Sequence, residues 1–278
     1  ALARRVSENP LWEKGFRIWM LGMTAQWMGV MGDHANSVAP LLISTEQGYF
    51  KSTFCKSLLP PVLRRYYMDK VDLTSQGKVE RRLAEMGLIN LDEFDKFSPA
   101  KMPLLKNLMQ MASLSLCKAY QKNYRVLPRI ASFIGTSNRK DLLTDPTGSR
   151  RFICVEVEHP IDCEAIEYEQ LYAQLKATIL PGQRYWFTKE EEQELQKSNL
   201  SFYRQGPVED VLRACYRSAE RGEESELLSA ADIFQCLKKK NPAAMRGANP
   251  ASLSQVLVAV GIERKHTKFG NVYRVIPV

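Results

Sequence analysis

The chain begins with a pattern of apolar positions that is typical of a helix. Between residues 9 and 31, large apolar side chains recur every three to five positions, which predicts a helix with one buried face. VAPLLIS, which follows, is almost continuously apolar and predicts a buried strand, and KSTFCKSLLP predicts a helix that ends at Pro60 and Pro61. Together these segments predict a strand, a turn and a helix.

The middle of the chain continues this alternation. RRYYM predicts a short strand, residues 77–87 predict a helix, and LINLDEFD predicts an apolar strand that ends in acids. PLLKNLMQMASLSLCKAY predicts another helix, before the strands RIASFIGTSN and RRFICVEV. Strands that alternate with helices favour an α/β fold, with a mostly parallel sheet and helices on both faces.

The pattern changes after LSFYRQGP, which predicts a linker between a domain of residues 1–205 and one of residues 206–278. Helices are predicted for residues 208–221 and for SAADIFQCLKKK and SLSQVLVAVG. IERKHTKFGNVYRVIPV predicts a β-hairpin with its turn at residues 269–271. Three short helices followed by a basic hairpin are the pattern of a small winged-helix domain.

Composition and charge favour a globular protein with an acidic partner. The 278 residues are 45% hydrophobic and carry a formal net charge of +8, and the basic residues concentrate in residues 101–151 and 235–278. Two basic surfaces and nucleic acid as the partner are therefore expected. The six cysteines are scattered singly and predict neither a disulfide framework nor a zinc site. With no signal peptide or membrane span evident, a cytoplasmic location is expected, and the start at Ala1 is compatible with a fragment of a longer protein.

The stretch LLISTEQGYFKSTF raises the question of a phosphate-binding loop. Such loops follow the pattern G-x-x-x-x-G-K-[ST], because glycines let backbone N–H groups surround phosphate oxygens. Here Lys51 and Ser52 are present, but Thr45 and Phe50 stand where the two glycines belong. Gly48 remains, three positions before the lysine. The residues alone leave two alternatives open, a divergent phosphate loop and an ordinary turn.

Polar residues placed in order along the chain favour the phosphate loop. Asp92 and Glu93 follow an apolar strand, where the first acid can support Mg²⁺ and the second can act as a general base on water. Asn138 ends a later strand and can orient that water. Arg150 and Arg151 come soon afterwards and can neutralise charge on a transferring phosphoryl group.

Four segments together resemble the virulence-associated protein E family: LISTEQGYFKSTF, INLDEFD, FIGTSNRKDLLTDPTGSRRFICVEV and QRYWFTKEEEQEL. Members are helicase-like P-loop ATPases, related to superfamily 3 helicases within the AAA+ group and common in bacterial mobile elements and phage. The resemblance covers roughly residues 10–205, and the C-terminal piece is similar to a domain of unknown function appended to such proteins.

The resemblance implies ATP and Mg²⁺ as cofactors and assigns roles to residues. Lys51, Ser52 and Thr53 would bind the nucleotide with Gly48 shaping the loop, and Ser52 with Asp92 would hold Mg²⁺. Glu93, Asn138, Arg150 and Arg151 would be catalytic, with one of the two arginines acting as a finger on a neighbouring subunit. It further implies a homo-oligomeric ring, with a hexamer as one option, and a primase as a neighbouring domain or partner.

Superfamily 3 relatives also place a DNA-tracking element between the Walker B strand and the sensor strand. In that interval, cationic residues alternate with aromatic ones, which suits phosphate contact and base stacking on single-stranded or forked DNA. The candidates are Lys118, Lys122, Arg125 and Arg129, and Arg264, Lys265 and Lys268 of the C-terminal hairpin are candidates for duplex phosphate. The alternatives are a solvated basic helix end and a protein-interaction module.

Two functions remain as hypotheses. In the first, the protein is an ATP-hydrolysing, helicase-like motor in the replication of a mobile element or phage. In the second, the ATPase core is weak or inactive, and the protein is a DNA-binding or partner-binding adaptor. The first is favoured by Asp92, Glu93, Asn138, Arg150 and Arg151, whereas the second is favoured by Thr45 and Phe50.

Overall fold

The computed structural model describes residues 1–32, 34–117, 124–143, 149–203, 206–220, 222–268 and 270–278. The chain divides into two compact units, residues 1–204 and 205–278. Both units combine helices with strands, and each is described by itself below.

The first unit is built on a parallel sheet of five strands in the order β2-β3-β6-β1-β7. These strands are β1 (Ala39–Ile43), β2 (Tyr67–Met68), β3 (Leu88–Leu91), β6 (Ser132–Ser137) and β7 (Phe152–Glu156). β1, β3 and β6 are buried at every position, which explains why their sequences read as uninterrupted apolar or small residues. The predicted parallel sheet is confirmed.

In the described part of this unit, six α-helices cover the sheet: α1 (Pro10–Met28), α2 (Lys51–Ser57), α3 (Gln76–Glu85), α4 (Met102–Gln110), α5 (Tyr168–Ile179) and α6 (Lys189–Ser198). Alternate residues of β1 enter two different cores. Leu42 packs into a core with α1, α2 and α5, whereas Leu41 and Ile43 pack into a second core with α3 and α4. The helices therefore lie on both faces of the sheet, as the alternation of segments predicted.

Local signals set the limits of α1. The Asn9 side chain accepts hydrogen bonds from the backbone N–H groups of Leu11 and Trp12, and Pro10 occupies the first helical position. The helix ends at Gly29, whose φ of 66° is the left-handed conformation that glycine adopts without strain. The buried face of α1 lies against the sheet and holds the predicted stripe, including Phe16, Trp19 and Met23.

One predicted helix was wrong in its second half. The helix predicted from residue 103 to residue 120 ends at Gln110, and β4 (Ser113–Cys117) follows and pairs antiparallel with β5 (Tyr124–Pro128). Ser113, Leu114 and Ser115 alternate in the period of two that strands require, with Leu114 buried and both serines exposed. The interval between β3 and β6 thus contains a hairpin rather than a basic helix end.

The second unit contains three helices and an antiparallel sheet of four strands. The helices are α7 (Pro207–Cys215), α8 (Ala230–Lys240) and α9 (Pro250–Ala259). β11 (Gly270–Pro277) pairs with β8 (Tyr216–Ser218), β9 (Glu226–Ser229) and β10 (Arg264–Thr267). The predicted helices and the β10–β11 hairpin are present, although α7 stops at Cys215 and two unpredicted strands, β8 and β9, complete the sheet. A separate hydrophobic core lies within this unit.

Candidate functional site

The candidate site lies at the carboxyl edge of the parallel sheet. β1, β6 and β3 are neighbours in the sheet, and because they run parallel their carboxyl ends meet at the same edge. The residues that follow these strands are Ser44, Asn138 and Asp92, respectively. The fold therefore brings together three segments that lie up to about 90 residues apart in the chain.

Lys51, the first residue of α2, points into this edge. Its Nζ donates hydrogen bonds to Asn138 Oδ1 at 3.0 Å, to the Ser44 carbonyl at 3.2 Å and to the Glu46 carbonyl at 3.4 Å. Burial lowers the pKa of Lys51, whereas the nearby carboxylates of Asp92 and Asp95 oppose that shift. The predicted partners Lys51 and Asn138 are thus in direct contact.

Ser52 and Asp92 are joined by a hydrogen bond. Ser52 Oγ donates to Asp92 Oδ1 at 2.9 Å, and Thr136 Oγ1 of β6 donates to the same oxygen at 2.6 Å. Hard oxygen donors of this kind suit Mg²⁺, which proteins usually hold through one or two carboxylates together with substrate phosphates. Ser52 and Asp92 therefore fit the predicted metal site.

Asp95 is a member of the site that the sequence interpretation missed. Its Oδ1 accepts hydrogen bonds from Ser137 Oγ at 3.0 Å and from the Asn138 backbone N–H at 3.4 Å. The carboxylate therefore fixes the segment that carries Asn138. Asp95 lies three residues after Asp92 in INLDEFD, so the signal was present, although a third acid in a polar turn is ordinarily solvated. Thr136 was missed as well, because a threonine inside a strand carries no distinguishing pattern.

Glu93 follows Asp92 in a left-handed backbone conformation with φ of 53°. Its backbone N–H donates to Thr136 Oγ1 at 3.4 Å, and its carboxylate is half exposed and forms an ion pair with Lys96 at 2.5 Å. Because of that exposure, water reaches the Glu93 carboxylate, as a base that acts on water requires.

The loop between β1 and α2 departs from the usual phosphate loop in its backbone as well. Gly48 has φ of 80°, and Phe50, in the position where a glycine is expected, has φ of 58° with its side chain 54% exposed. Phe50 thus keeps a left-handed backbone, which usually costs a non-glycine residue about 1 kcal/mol or more. Thr53, one turn into α2, is exposed next to the loop.

Arg150 and Arg151 lie away from these residues. They immediately precede β7, whose first residue, Phe152, is in register with Ala39 at the start of β1. The two arginines therefore lie at the amino edge of the sheet, about 15 Å of strand from the carboxyl edge. Arg150 pairs with Glu192 at 3.4 Å. Neither arginine joins Lys51 within one chain.

The predicted DNA-binding residues have different positions. Lys118 and Lys122 lie outside the described residues. Arg125 is exposed on β5. In the second unit Arg264 and Lys265 are exposed on β10 and Lys268 is exposed just after it, but successive residues of a strand point to opposite faces, so Arg264 and Lys265 do not form one patch.

The prediction for Arg129 was wrong, because its side chain is fully buried. The guanidinium donates to the carbonyls of Asn36 at 2.7 Å, Ala131 at 2.8 Å, Leu108 at 3.1 Å and Met111 at 3.2 Å. Burial lowers the pKa of Arg129 to about 9, which still leaves it charged at neutral pH. Arg129 therefore binds carbonyls of its own chain and is inaccessible to DNA.

A family model described as "Virulence-associated protein E-like domain" matches residues 4–204. The chain belongs to the virulence-associated protein E-like family. A second model, a domain of unknown function described from B. Theta, matches residues 205–275. Among curated proteins, none matches the chain.

Similar solved structures include three of the C-terminal region of NrS-1. Two apo structures have 14% sequence identity and a TM-score of 0.45, and a third has 12% identity and a TM-score of 0.43. In each comparison the match covers 100% of this chain and 74% of the NrS-1 chain.

Within the part of the chain that the structure describes, no helix combines the length and the apolar character needed to cross a membrane. The same residues contain no cluster of three or more His, Cys, Asp or Glu side chains that could hold a metal ion.

Proposed function

We propose that this member of the virulence-associated protein E-like family is a Mg²⁺-dependent ATPase that acts on DNA as a helicase-like motor in the replication of a mobile element or phage. Lys51, Ser52, Asp92 and Asn138 come from separate segments and converge at one edge of a parallel sheet. The observation that carries the proposal is the pair of contacts Lys51 Nζ–Asn138 Oδ1 at 3.0 Å and Ser52 Oγ–Asp92 Oδ1 at 2.9 Å.

The hydrogen bonds that Lys51 Nζ makes to the described residues go to neutral acceptors, namely two carbonyls and one amide oxygen. A triphosphate that enters the loop offers stronger, charge-assisted hydrogen bonds, so Lys51 would exchange these contacts for phosphate oxygens. This exchange releases Asn138, whose amide can then orient the attacking water. Asp95 keeps the Asn138 backbone in place throughout.

Mg²⁺, bound through Ser52 and Asp92, would neutralise charge on the phosphates. Thr136 fixes the Asp92 carboxylate through its 2.6 Å hydrogen bond, so that carboxylate is oriented before any metal arrives. Glu93 is the base in this proposal, because its carboxylate follows Asp92 directly and remains open to water. An arginine from a neighbouring subunit, Arg150 or Arg151, would complete the site.

The β4–β5 hairpin supports DNA as the partner. It lies in the chain between β3, which leads to Asp92, and β6, which leads to Asn138, and Arg125 is exposed on it. An exposed cation such as Arg125 can contact the backbone of single-stranded or forked DNA without reading its sequence. The basic β10–β11 hairpin, in the winged-helix interpretation, would add contacts to duplex phosphate.

The second candidate function is a DNA-binding or protein-binding adaptor with a weak or inactive ATPase core. Phe50 favours it, because a side chain and a strained backbone occupy the position where glycine would allow close wrapping of a phosphate. In this case Lys51 keeps its contact with Asn138 as a structural feature.

Phosphate release from ATP and Mg²⁺, measured with and without single-stranded DNA, tests the proposal. We expect DNA-stimulated turnover in the wild type and a loss of at least about 100-fold in Lys51→Ala, because the terminal phosphates lose their cation. Glu93→Gln should keep ATP binding and lose turnover. Lys78→Ala, which removes an exposed lysine from α3, is the matched control and should retain the wild-type rate.

Absence of turnover in the wild type, with DNA binding retained by every variant, would contradict the motor and favour the adaptor. Turnover that survives Lys51→Ala would contradict the assignment of the site.

A further inference from the structure

An open cavity of about 510 Å³ adjoins the candidate phosphate loop. Phe50 and Thr53 line it on the side of the loop and α2, and Ile161 and Glu164 line it on the side of the segment that follows β7. Its volume is within the range of sites that enclose a small organic ligand, about 300–1,000 Å³. The cavity contains neither Lys51 nor Asp92, so it is distinct from the phosphate and metal positions described above.

The wall after β7 is fixed to its surroundings. The Ile161 backbone N–H donates to the Tyr49 carbonyl at 3.2 Å, and Cys163 Sγ lies 3.8 Å from the Phe50 carbonyl. From the other side, Arg5 Nη1 donates to the Asp162 carbonyl at 3.2 Å and also reaches the Glu164 carbonyl. These contacts hold the segment at a set separation from the loop, so the cavity is formed before any ligand binds.

The lining combines a flat aromatic ring with polar groups of both signs. The Phe50 side chain is 54% exposed, although it is large and apolar, and it lines the cavity next to the aliphatic Ile161. Lys56 and Arg64 supply donors, and the carboxylate of Glu164 supplies acceptors. An apolar surface with a few polar groups is the chemistry that recognises a heteroaromatic base joined to a ribose.

We propose that this cavity binds the nucleoside of a nucleotide whose phosphates lie at Lys51, with the Phe50 ring stacked on the base. The inference rests on the proposed function, because it takes the phosphate position from Lys51 and Ser52. Thr53 follows Ser52 directly in α2 and lines the cavity, so the cavity adjoins the proposed position of the phosphates.

The proposed stacking explains how phenylalanine can serve at position 50, where the usual phosphate loop has glycine. The loop loses the close backbone wrapping that glycine allows, but it gains a stacking surface next to the position of the phosphates. Binding strength would then depend more on the base and less on the phosphates than in a loop with both glycines.

Equilibrium binding of ATP and of inorganic tripolyphosphate to the full chain tests the proposal. Phe50→Gly removes the ring and relieves the left-handed backbone at the same position. We expect it to bind ATP about tenfold more weakly than the wild type, because the base loses its aromatic stacking partner. Its binding of tripolyphosphate should be unchanged or tighter, which also shows that the variant is folded.

Two further variants test whether a change in ATP binding is due to the loss of the aromatic ring at position 50. Phe50→Tyr keeps an aromatic ring and should bind ATP like the wild type. Tyr66→Ala removes another exposed aromatic, which does not line the cavity, and should change neither affinity.

If Phe50→Gly binds ATP as tightly as the wild type, or loses ATP and tripolyphosphate equally, the nucleoside site is wrong while the phosphate site stands. If Lys51→Ala binds both ATP and tripolyphosphate as tightly as the wild type does, or if the wild type binds neither, the proposed function fails. This inference then fails with it.

Discussion

Three non-glycine residues have a left-handed backbone among the residues that the structure describes, and two of them, Phe50 and Glu93, adjoin residues of the candidate site. Phe50 precedes Lys51, Glu93 follows Asp92, and Ala165 follows the cavity wall at Glu164. Such conformations cost about 1–3 kcal/mol each and persist where the surrounding structure enforces them, often at functional sites. The positions of Phe50 and Glu93 support the location of the site independently of the loop pattern, which Thr45 and Phe50 interrupt.

Arg129 stabilises the fold, because its buried guanidinium donates hydrogen bonds to several backbone carbonyls. Arg129→Met keeps an apolar stem but removes the donor that the carbonyls of Asn36, Leu108 and Met111 share. We expect it to lower the free energy of unfolding by about 3 kcal/mol or more, measured by urea denaturation. Arg125→Met is the matched control on β5 and should stay within about 0.5 kcal/mol of the wild type. Equal denaturation midpoints for the two variants would contradict the burial described here.

Sequence alone could not separate Arg129 from Arg125. The two lie four residues apart in one basic stretch, and each is followed by two apolar residues. What distinguishes them is the set of acceptor carbonyls from residues 36, 108, 111 and 131, which only the folded chain brings to one point. By contrast, Lys51, Asp92 and Asn138 each stand directly after a recognisable strand or turn, so the order of elements was sufficient to predict their proximity.

At the scale of elements, strands buried on both faces were the most predictable. β1, β6 and β7 each correspond to an apolar run bounded by polar residues. The boundary between α4 and β4 was missed, because Leu104, Leu105, Leu108 and Met109 suit a helix and the alternation after Ser113 covers only a few residues. β8 and β9 were missed since short strands that pair with a distant β11 carry almost no local signal.

The start of α6 gives a pH-dependent prediction. Thr188 and Glu191 form a capping box, and the Arg184 guanidinium pairs with the Glu191 carboxylate at 2.5 Å. Hydrogen bonding from Arg184 lowers the pKa of Glu191 from 4.5 to about 2. Because the folded-state pKa lies below the unfolded value, this stabilisation is complete above about pH 4.5 and is lost as the pH falls towards 2.

Glu191→Gln should therefore lower the free energy of unfolding by about 2 kcal/mol at pH 7. The difference from the wild type should shrink as the pH is lowered from 5 to about 3, as measured by urea denaturation across that range. Glu194→Gln, on the same helix and half exposed, is the control and should change little at any pH. If the difference in the free energy of unfolding between Glu191→Gln and the wild type does not vary with pH, the charge of the carboxylate does not stabilise this helix.

At the scale of the whole molecule, the parallel sheet separates Lys51 from Arg150 and Arg151. One chain presents the lysine at one edge of the sheet and the arginines at the opposite edge. If an arginine participates in the reaction, it must come from a second copy through a head-to-tail contact, and such contacts form a ring where the rotation between copies closes. The homo-oligomer stays a prediction, and the strand direction is compatible with it.

Mixing two inactive variants tests this arrangement. The Lys51→Ala variant lacks the lysine of the phosphate site but can supply its arginine to a neighbouring subunit. The Arg150→Ala variant keeps the phosphate site but cannot supply that arginine. An equal mixture should recover about a quarter of the wild-type rate of phosphate release, the fraction of interfaces that pair an intact site with an intact arginine. Mixing the same lysine variant with Arg151→Ala identifies which arginine acts. Failure of both mixtures to exceed their components would contradict a shared site.

The buried contacts of Arg129 have a mechanical consequence. The residue ends the β4–β5 hairpin, and it is bound to Asn36, just before β1, and to Ala131, just before β6. β1 and β6 lead at their far ends to the loop of Lys51 and to Asn138. The Arg129 guanidinium thus ties the end of β5 to the starts of the two strands that lead to the candidate site. Sliding of β1 against β6 along the strand axis would stretch these hydrogen bonds, so the Arg129 contacts oppose such a displacement.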